Sequence, residues 1–167
     1  MTTPKPIPPS HIDLLERPIH ASLATTLPNG TPQVTVVWFN YENGHVYINS
    51  AAGRLKDRAI RAKPYVALMV VDPQDPYRYI QVRGPIVAIT EEGAAEHINF
   101  LSHRYEGKDY TFTPGQVRVR YTIAPDTSTR TSKMRNRSSA TPCPSHYSPR
   151  ANVVCGVEER CVITLRV

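Results

Sequence analysis

The sequence predicts a mainly β fold: a small antiparallel barrel of six strands with two or three helices packed outside it. Three observations predict this. Turn signals recur at hairpin spacing, Pro-Asn-Gly at 28–30 and Asn-Gly at 43–44, each between runs rich in Val, Ile, Thr and Tyr. The helical patterns are few and short. A Gly-Pro pair at 84–85 interrupts a long β-type run, as a bulge or a barrel corner does.

Taken in order, residues 1–9 carry four prolines and read as a flexible arm. Ser10 can cap a short helix over 11–17, which Pro18 ends. Strands are expected at 19–27, 32–41 and 45–50, joined by the two turns into a three-stranded meander. A small-residue turn at 51–53 leads into a helix that runs to about Ala62, and Pro64 closes it. "YVALMVV" (65–71) is a continuous apolar run and so a buried strand. "DPQDPYR" (72–78) reads as a proline-broken loop, and 79–90 as a long strand bent at Gly84. Residues 91–105 form a helix with Ile98, Leu101 and Tyr105 as its apolar stripe. "QVRVRYTI" (116–123) is the last strand. From Asp126 the pattern stops. Residues 126–167 have the Ser/Thr/Arg/Pro composition of a disordered tail, with short strands conceivable at 152–157 and 161–167.

The charge is uneven. Residues 1–125 hold 13 basic and 11 acidic side chains (+2), and residues 126–167 hold 7 and 3 (+4), which together make the formal +6. A near-neutral folded part argues against a nucleic-acid surface, and the basic tail lacks the interleaved aromatics that stacking on bases needs. All three cysteines lie in the tail, at spacings of 12 and 6 that match no zinc pattern. No stretch approaches the ~20 apolar residues of a membrane helix. A cytoplasmic protein is expected, with no metal site.

The chemistry concentrates in "NSAAGRLKDRAIRAKP" (49–64), which packs Arg54, Lys56, Arg58, Arg61 and Lys63 into ten positions. A charge run of this kind is commonly the solvated face of an amphipathic helix. Three features favour an anion site instead. Cations in a first helical turn oppose the helix dipole unless an anion is present. The small-residue turn before the helix lets backbone N–H groups approach a ligand. Asn49 and Ser50 end the preceding strand and can add side-chain donors. Backbone donors, an arginine fork and a lysine point charge describe a phosphate site.

The order of these segments resembles the pyridoxamine-phosphate-oxidase-like split β-barrel, and more closely its F420 (deazaflavin)-dependent reductase branch. That branch shares a "GRxKxRNL" element, here Gly53, Arg54, Lys56 and Arg58 with Ala59-Ile60 in place of Asn-Leu. It also shares a "DPxVAL" strand, here Lys63-Pro64-Tyr65-Val66-Ala67-Leu68, and a "VRG" strand, here Val82-Arg83-Gly84. The resemblance spans residues 10–125, taken as the cofactor-binding domain. It implies a homodimer with cofactor sites at the subunit interface. It implies that Arg54 and Lys56, helped by Arg58, bind the cofactor phosphate or acidic tail, with Asn49 and Ser50 donating beside them. Gln33, Val36, Val37 and Trp38 would lie along the ring, and Tyr77 would reach in from the neighbouring subunit. By its alternation with Val34 and Val36, Trp38 could equally be a core residue.

A hydride-transfer enzyme of this kind asks mainly for positioning, because the cofactor carries the reaction. No catalytic residue is therefore named. GxSxG, HExxH and CxxC are absent. His97 and His103 fall on nearly opposite helix faces, which disfavours joint metal ligation, and His20 and His45 read as ordinary strand residues. The function expected is reduction of an unsaturated or conjugated small molecule by reduced F420. The alternatives are an FMN-dependent oxidase or flavin reductase on the same barrel, and a non-catalytic cofactor-binding protein.

Overall fold

The computed structural model describes residues 3–131. In chain order these form α1 (Ile12–Glu16), β1 (Ala21–Thr26), β2 (Pro32–Val37), β3 (Phe39–Glu42), β4 (His45–Ala51), α2 (Leu55–Ala62), β5 (Tyr65–Asp72), β6 (Asp75–Thr90), α3 (Ala94–Glu106), β7 (Arg118–Ile123) and β8 (Thr127–Thr131). The strands pair antiparallel in the order β2-β1-β5-β6-β7-β4-β3, and β8 adds to β6. The sheet is open, with β2 and β3 at its two ends, so the barrel is split.

Eight strands stand where six were expected: one is β8, and the other arises from a break at Trp38. The run 32–41 is one β-type stretch in sequence but two strands in space. Residues 32–37 pair with β1, whereas 39–42 pair with β4 at the far end of the sheet. The expected meander is thus two hairpins that part company. Turn chemistry sets who pairs across each turn, and does so here: Asn43 (φ 49°) and Gly44 (φ 78°) both take the positive φ of a tight hairpin. It does not set which half of the sheet receives the next hairpin.

The second joint is at Gly84. Before it β6 pairs with β5 and β8; after it β6 pairs with β7, with a register shift between Ile86 and Ala88. The chain after β7 crosses directly over this point: Ala124 N–H donates to Pro85 O (3.0 Å) and Asp126 N–H to Arg83 O (2.9 Å). A Cβ on residue 84 would collide with the Ala124 carbonyl, so glycine is required by close approach. The bend expected from Gly84-Pro85 is present. Regular structure continues to Thr131, past the Asp126 at which the tail was expected to begin. The polar alternation of Thr-Ser-Thr-Arg-Thr carries no apolar face, which is why periodicity passed over it. Residues 132–167, with the cysteines and both tail strand candidates, lie outside the described residues.

Smaller differences have local causes. The expected loop 72–78 is a tight turn, because Asp72 accepts from Gln74 N–H and Asp75 from Tyr77 N–H (both 3.1 Å). Ser10 does not cap α1; its hydroxyl pairs with His11 Nδ1 at 2.9 Å. Arg78 joins α1 to the β5–β6 hairpin through Asp13 (2.6 Å) and Asp72 (2.8 Å); it holds the Asp13 carboxyl below its usual range, and the Gln74 N–H followed by Arg78 does the same for Asp72. The core lies between the half-sheets, built from Leu23, Phe39, Ile48, Leu68, Ile80 and Tyr121, with Leu14, Leu15 and Ile60 from the helices. α3 packs on the opposite face of β4 and β7, and that placement creates the site.

Candidate functional site

Alternation decides what β4 and β7 offer. On β4, Val46, Ile48 and Ser50 face the core, so Tyr47 and Asn49 face α3. On β7, Val119, Tyr121 and Ile123 face the core, so Arg118 and Arg120 face the same way as Asn49. A cavity of about 200 Å³ opens at the end of this layer. It is lined by His20, Val36, Val37, Trp38, Asn49, Arg54, Lys56, Ile98, Tyr110 and Arg118.

The electrostatics of this lining are one-sided. It holds three cations and no aspartate or glutamate. Arg118 is 7% exposed. Its contacts are neutral: Nε donates to Asn49 Oδ1 (2.8 Å), Nη1 to Tyr110 Oη (3.3 Å) and Gln116 Oε1 (3.2 Å), and the guanidinium lies 5.2 Å from the Tyr110 ring centre. Burial pushes its pKa down, opposed in part by Tyr110 and Tyr121. Burial, then the charges of Arg54 and Arg118, push the Lys56 ammonium below its ordinary value. Neither Arg54 nor Lys56 has an ion-pair partner among the described residues. Three cations that repel one another, one of them buried without a countercharge, sit together at a cost that a bound anion would offset.

The turn that presents them is fastened from behind. Asp57 in α2 accepts from Gly53 N–H (2.8 Å), Arg61 Nε (2.8 Å) and Tyr121 Oη (2.6 Å). Burial works against its charge, but these bonds outweigh it and hold the carboxyl below its usual range. Arg61 is therefore spent on Asp57. No side chain caps α2, so the N–H groups of its first turn remain available beside Arg54, its N-cap residue. An open groove of about 510 Å³, lined by residues 51–54 and 114–117, shares Arg54 with the cavity.

Of the residues singled out in the sequence, the cavity brings together Val36, Val37, Trp38, Asn49, Arg54 and Lys56. Four stand elsewhere. Ser50 faces the core, and its hydroxyl has no partner among the described residues. Gln33 lies four residues before Val37, about 13 Å along an extended strand, with its amide oxygen bound to Thr25 Oγ1 (2.8 Å). Arg58 is exposed on α2, and Tyr77 is exposed at the start of β6. Asn49 lines the cavity with its amide already committed: Nδ2 reaches Ala94 O (2.8 Å) and His97 Nδ1 (3.3 Å). Trp38 stands at the crossing between half-sheets, stacked on Tyr105 at 5.4 Å, its indole N–H donating to His20 Nε2 (3.1 Å). Sequence reasoning missed Arg118, Tyr110 and His20. The signal for Arg118 was there: in "VRVRY" the core takes Val119 and Tyr121, which leaves both arginines on the helix-covered face.

Comparison with known proteins follows the same outline. A family model described as pyridoxamine 5'-phosphate oxidase matches residues 7–127. A solved structure named F420 reductase is 36% identical, covering 74% of this chain and 98% of its own, with a TM-score of 0.68. A conserved hypothetical protein from Mycobacterium tuberculosis shares the fold at 22% identity, covering 89% of this chain and 99% of its own, with a TM-score of 0.61. A protein from Listeria innocua, provisionally named a pyridoxamine 5'-phosphate oxidase, shares it at 19% identity, covering 72% and 94%, with a TM-score of 0.56. No curated protein matches. No helix among the described residues is long and apolar enough to cross a membrane.

Proposed function

The chain belongs to the pyridoxamine 5'-phosphate oxidase family, a family of flavin- and deazaflavin-binding oxidoreductases, and from that premise we propose that it is an F420-dependent reductase acting on an unsaturated or conjugated small molecule. One observation carries the reading: Arg118, Lys56 and Arg54 converge on a cavity wall that has no acid. The residues fit a phosphate-bearing cofactor. Lys56 and Arg118 would hold its phosphate, and the Val36–Trp38 wall its ring. When bound, such a cofactor supplies the hydride. The protein's share is to bind, orient and exclude water.

Two features favour F420 over FMN. The 36%-identical relative is named F420 reductase. The cations also do not stop at the cavity: Arg54 continues into the open groove, as suits a long acidic tail. FMN remains the second reading, because a compact phosphate would satisfy Lys56 and Arg118 alone.

The cavity is smaller than the ~300–1,000 Å³ of ordinary ligand sites. A second copy of the chain is proposed to complete it. The outer face of β2, β1, β5 and β6 supports this. Its cross-strand rows are Val36, Ser22, Met69, Gln81 and Val34, Ala24, Ala67, Arg83. Val34 and Val36 are 66% and 64% exposed on an edge strand, an arrangement that invites covering. Tyr77 would reach the site from that second copy.

The test is titration with F420 and with FMN, followed by cofactor fluorescence and by emission of the sole tryptophan, Trp38, on the cavity wall. Tight F420 binding with weak FMN binding is expected. The reverse selects the FMN reading, and failure of both overturns the cofactor site.

A further inference from the structure

A buried polar chain runs up to the cavity wall and ends there at Arg118. It runs from Asn40 on β3 to His97 on α3, Asn49 on β4 and Arg118 on β7. His97 Nε2 pairs with Asn40 Oδ1 at 2.9 Å, and His97 Nδ1 with Asn49 Nδ2 at 3.3 Å. Asn49 Nδ2 also donates to Ala94 O, and Asn49 Oδ1 accepts from Arg118 Nε, both at 2.8 Å. All four residues are at most 9% exposed.

The donors and acceptors in this chain can be assigned from its ends. Ala94 O can only accept, and Arg118 Nε can only donate. Asn49 therefore cannot be flipped: its NH2 faces Ala94 and His97, and its oxygen faces Arg118. That NH2 has two hydrogens, so His97 Nδ1 must accept the second. The His97 proton then sits on Nε2 and goes to Asn40. A neutral imidazole in one tautomer is the only form that satisfies every bond. Of the Arg118 nitrogens, Nε is held by Asn49 and Nη1 by Tyr110 and Gln116, which leaves Nη2 without a partner among the described residues. Nη2 is the nitrogen left for a ligand in the cavity.

We infer that His97, neutral and protonated on Nε2, is a positioning residue that fixes the Asn49 amide and through it aims Arg118 at the anion. The inference rests on the anion-site reading above. The surroundings of His97 agree with a neutral ring. Arg118 and Arg120 from β7 are the charges that face it, and Tyr47 from β4 approaches edge-on at 6.4 Å. A hydrogen on Nδ1 would set N–H against the Asn49 NH2. Relieving that clash by flipping the amide would turn NH2 towards the guanidinium, so the chain holds as a unit or fails as a unit.

The test uses the full chain and four variants: His97→Gln, His97→Leu, Arg118→Ala and His97→Leu combined with Arg118→Ala. Glutamine keeps one donor and one acceptor; leucine keeps neither. With F420 and FMN as probes, His97→Leu should lose about tenfold in affinity for whichever binds, as for a charged hydrogen bond left slack. His97→Gln should stay near wild type. In an Arg118→Ala background His97→Leu should cost nothing further, because the effect travels through Arg118. Additive losses would overturn the inference. Two readouts do not depend on cofactor. The ¹⁵N spectrum of wild type at neutral pH should show His97 protonated on Nε2 alone, and the Arg118 Nε–H should exchange slowly in wild type and His97→Gln but fast in His97→Leu. A ring protonated on Nδ1, or an Arg118 signal indifferent to residue 97, would overturn the inference even if His97→Leu folds poorly. Should wild type bind neither cofactor, the functional reading fails while these two signals still decide the positioning role.

Discussion

Asn49 and Ser50 are neighbours in sequence and opposites in environment. Both were read as donors to an anion, because a strand end beside a basic helix suggests it. The two-residue period of a strand sends one to the cavity layer and the other to the core. The buried Ser50 hydroxyl satisfies nothing, so Ser50→Ala should leave stability unchanged or raise it by about 1 kcal/mol, measured by denaturant unfolding. A loss above that size would mean the hydroxyl has a partner. His97 makes the contrary case of a polar residue fully employed. Burial, with Arg120 and Arg118 nearby, pushes its pKa down to about 4 from an ordinary 6.5. Its folded value lies below its unfolded one, so the unfolded chain takes up the extra proton. The contribution of His97 is therefore complete above pH 6.5 and is lost as pH falls towards 4. The slope cannot exceed about 1.4 kcal/mol per pH unit. The depressed carboxyls of Asp13, Asp57 and Asp72 act below this window, near and under their ordinary 3.8. Unfolding free energies measured from pH 7 to 4.5 should fall for wild type and stay level for His97→Gln; parallel curves would contradict the assignment. The sequence raised His97 only as an unpromising metal ligand, since a histidine on a helix face gives no sign of what the opposing strand carries.

Between residues and molecule, two joints set the architecture, and they differed in how visible they were. Gly84-Pro85 announced itself, because glycine and proline are both foreign to a strand interior. Trp38 did not, because the whole of 32–42 has β character and a change of partner leaves no mark on composition. The requirement at Gly84 is steric: its missing Cβ makes room for the Ala124 carbonyl. Gly84→Ala should cost about 2–4 kcal/mol through forced movement of the crossing chain, read as a lowered denaturation midpoint. A midpoint unchanged within error would show that the crossing is looser than described. The gathering of cations behind a small-residue turn before α2 was legible, but the role of Asp57, which fastens that turn to Tyr121 and occupies Arg61, was not. Arg54 and Lys56 share the cavity wall with Arg118, and no acid lines it, so their removal would relieve repulsion in the empty site and remove attraction in a filled one. Arg54→Ala with Lys56→Ala should therefore weaken F420 binding at least a hundredfold, at ~1.5–3 kcal/mol per charged bond, without lowering the midpoint of unfolding. Unchanged titration curves would place the anion elsewhere.

For the molecule as a whole, the face that carries Val34 is decisive. A single chain exposes two large valines on its edge strand, beside a cavity too small for a flavin-sized ring and its phosphate arm. The second copy proposed above would resolve both, because laid on this face it would bury the valines and add a wall at Val36–Trp38. The cations would then have no route to solvent except along the groove that holds Arg54, which strengthens their hold on a bound anion. Val34→Glu separates this from a monomeric site. Residue 34 is exposed in the single chain and does not line the cavity, so the substitution should cost the isolated fold less than about 0.5 kcal/mol. Placed near its own copy in a dimer, the glutamate would be a buried like charge and should drive sedimentation from dimer to monomer. F420 affinity should fall with it, although Arg54, Lys56 and Arg118 are untouched. A wild type that sediments as a monomer and still binds F420 tightly would show that one chain makes the whole site, and the exposed valines would then need another explanation.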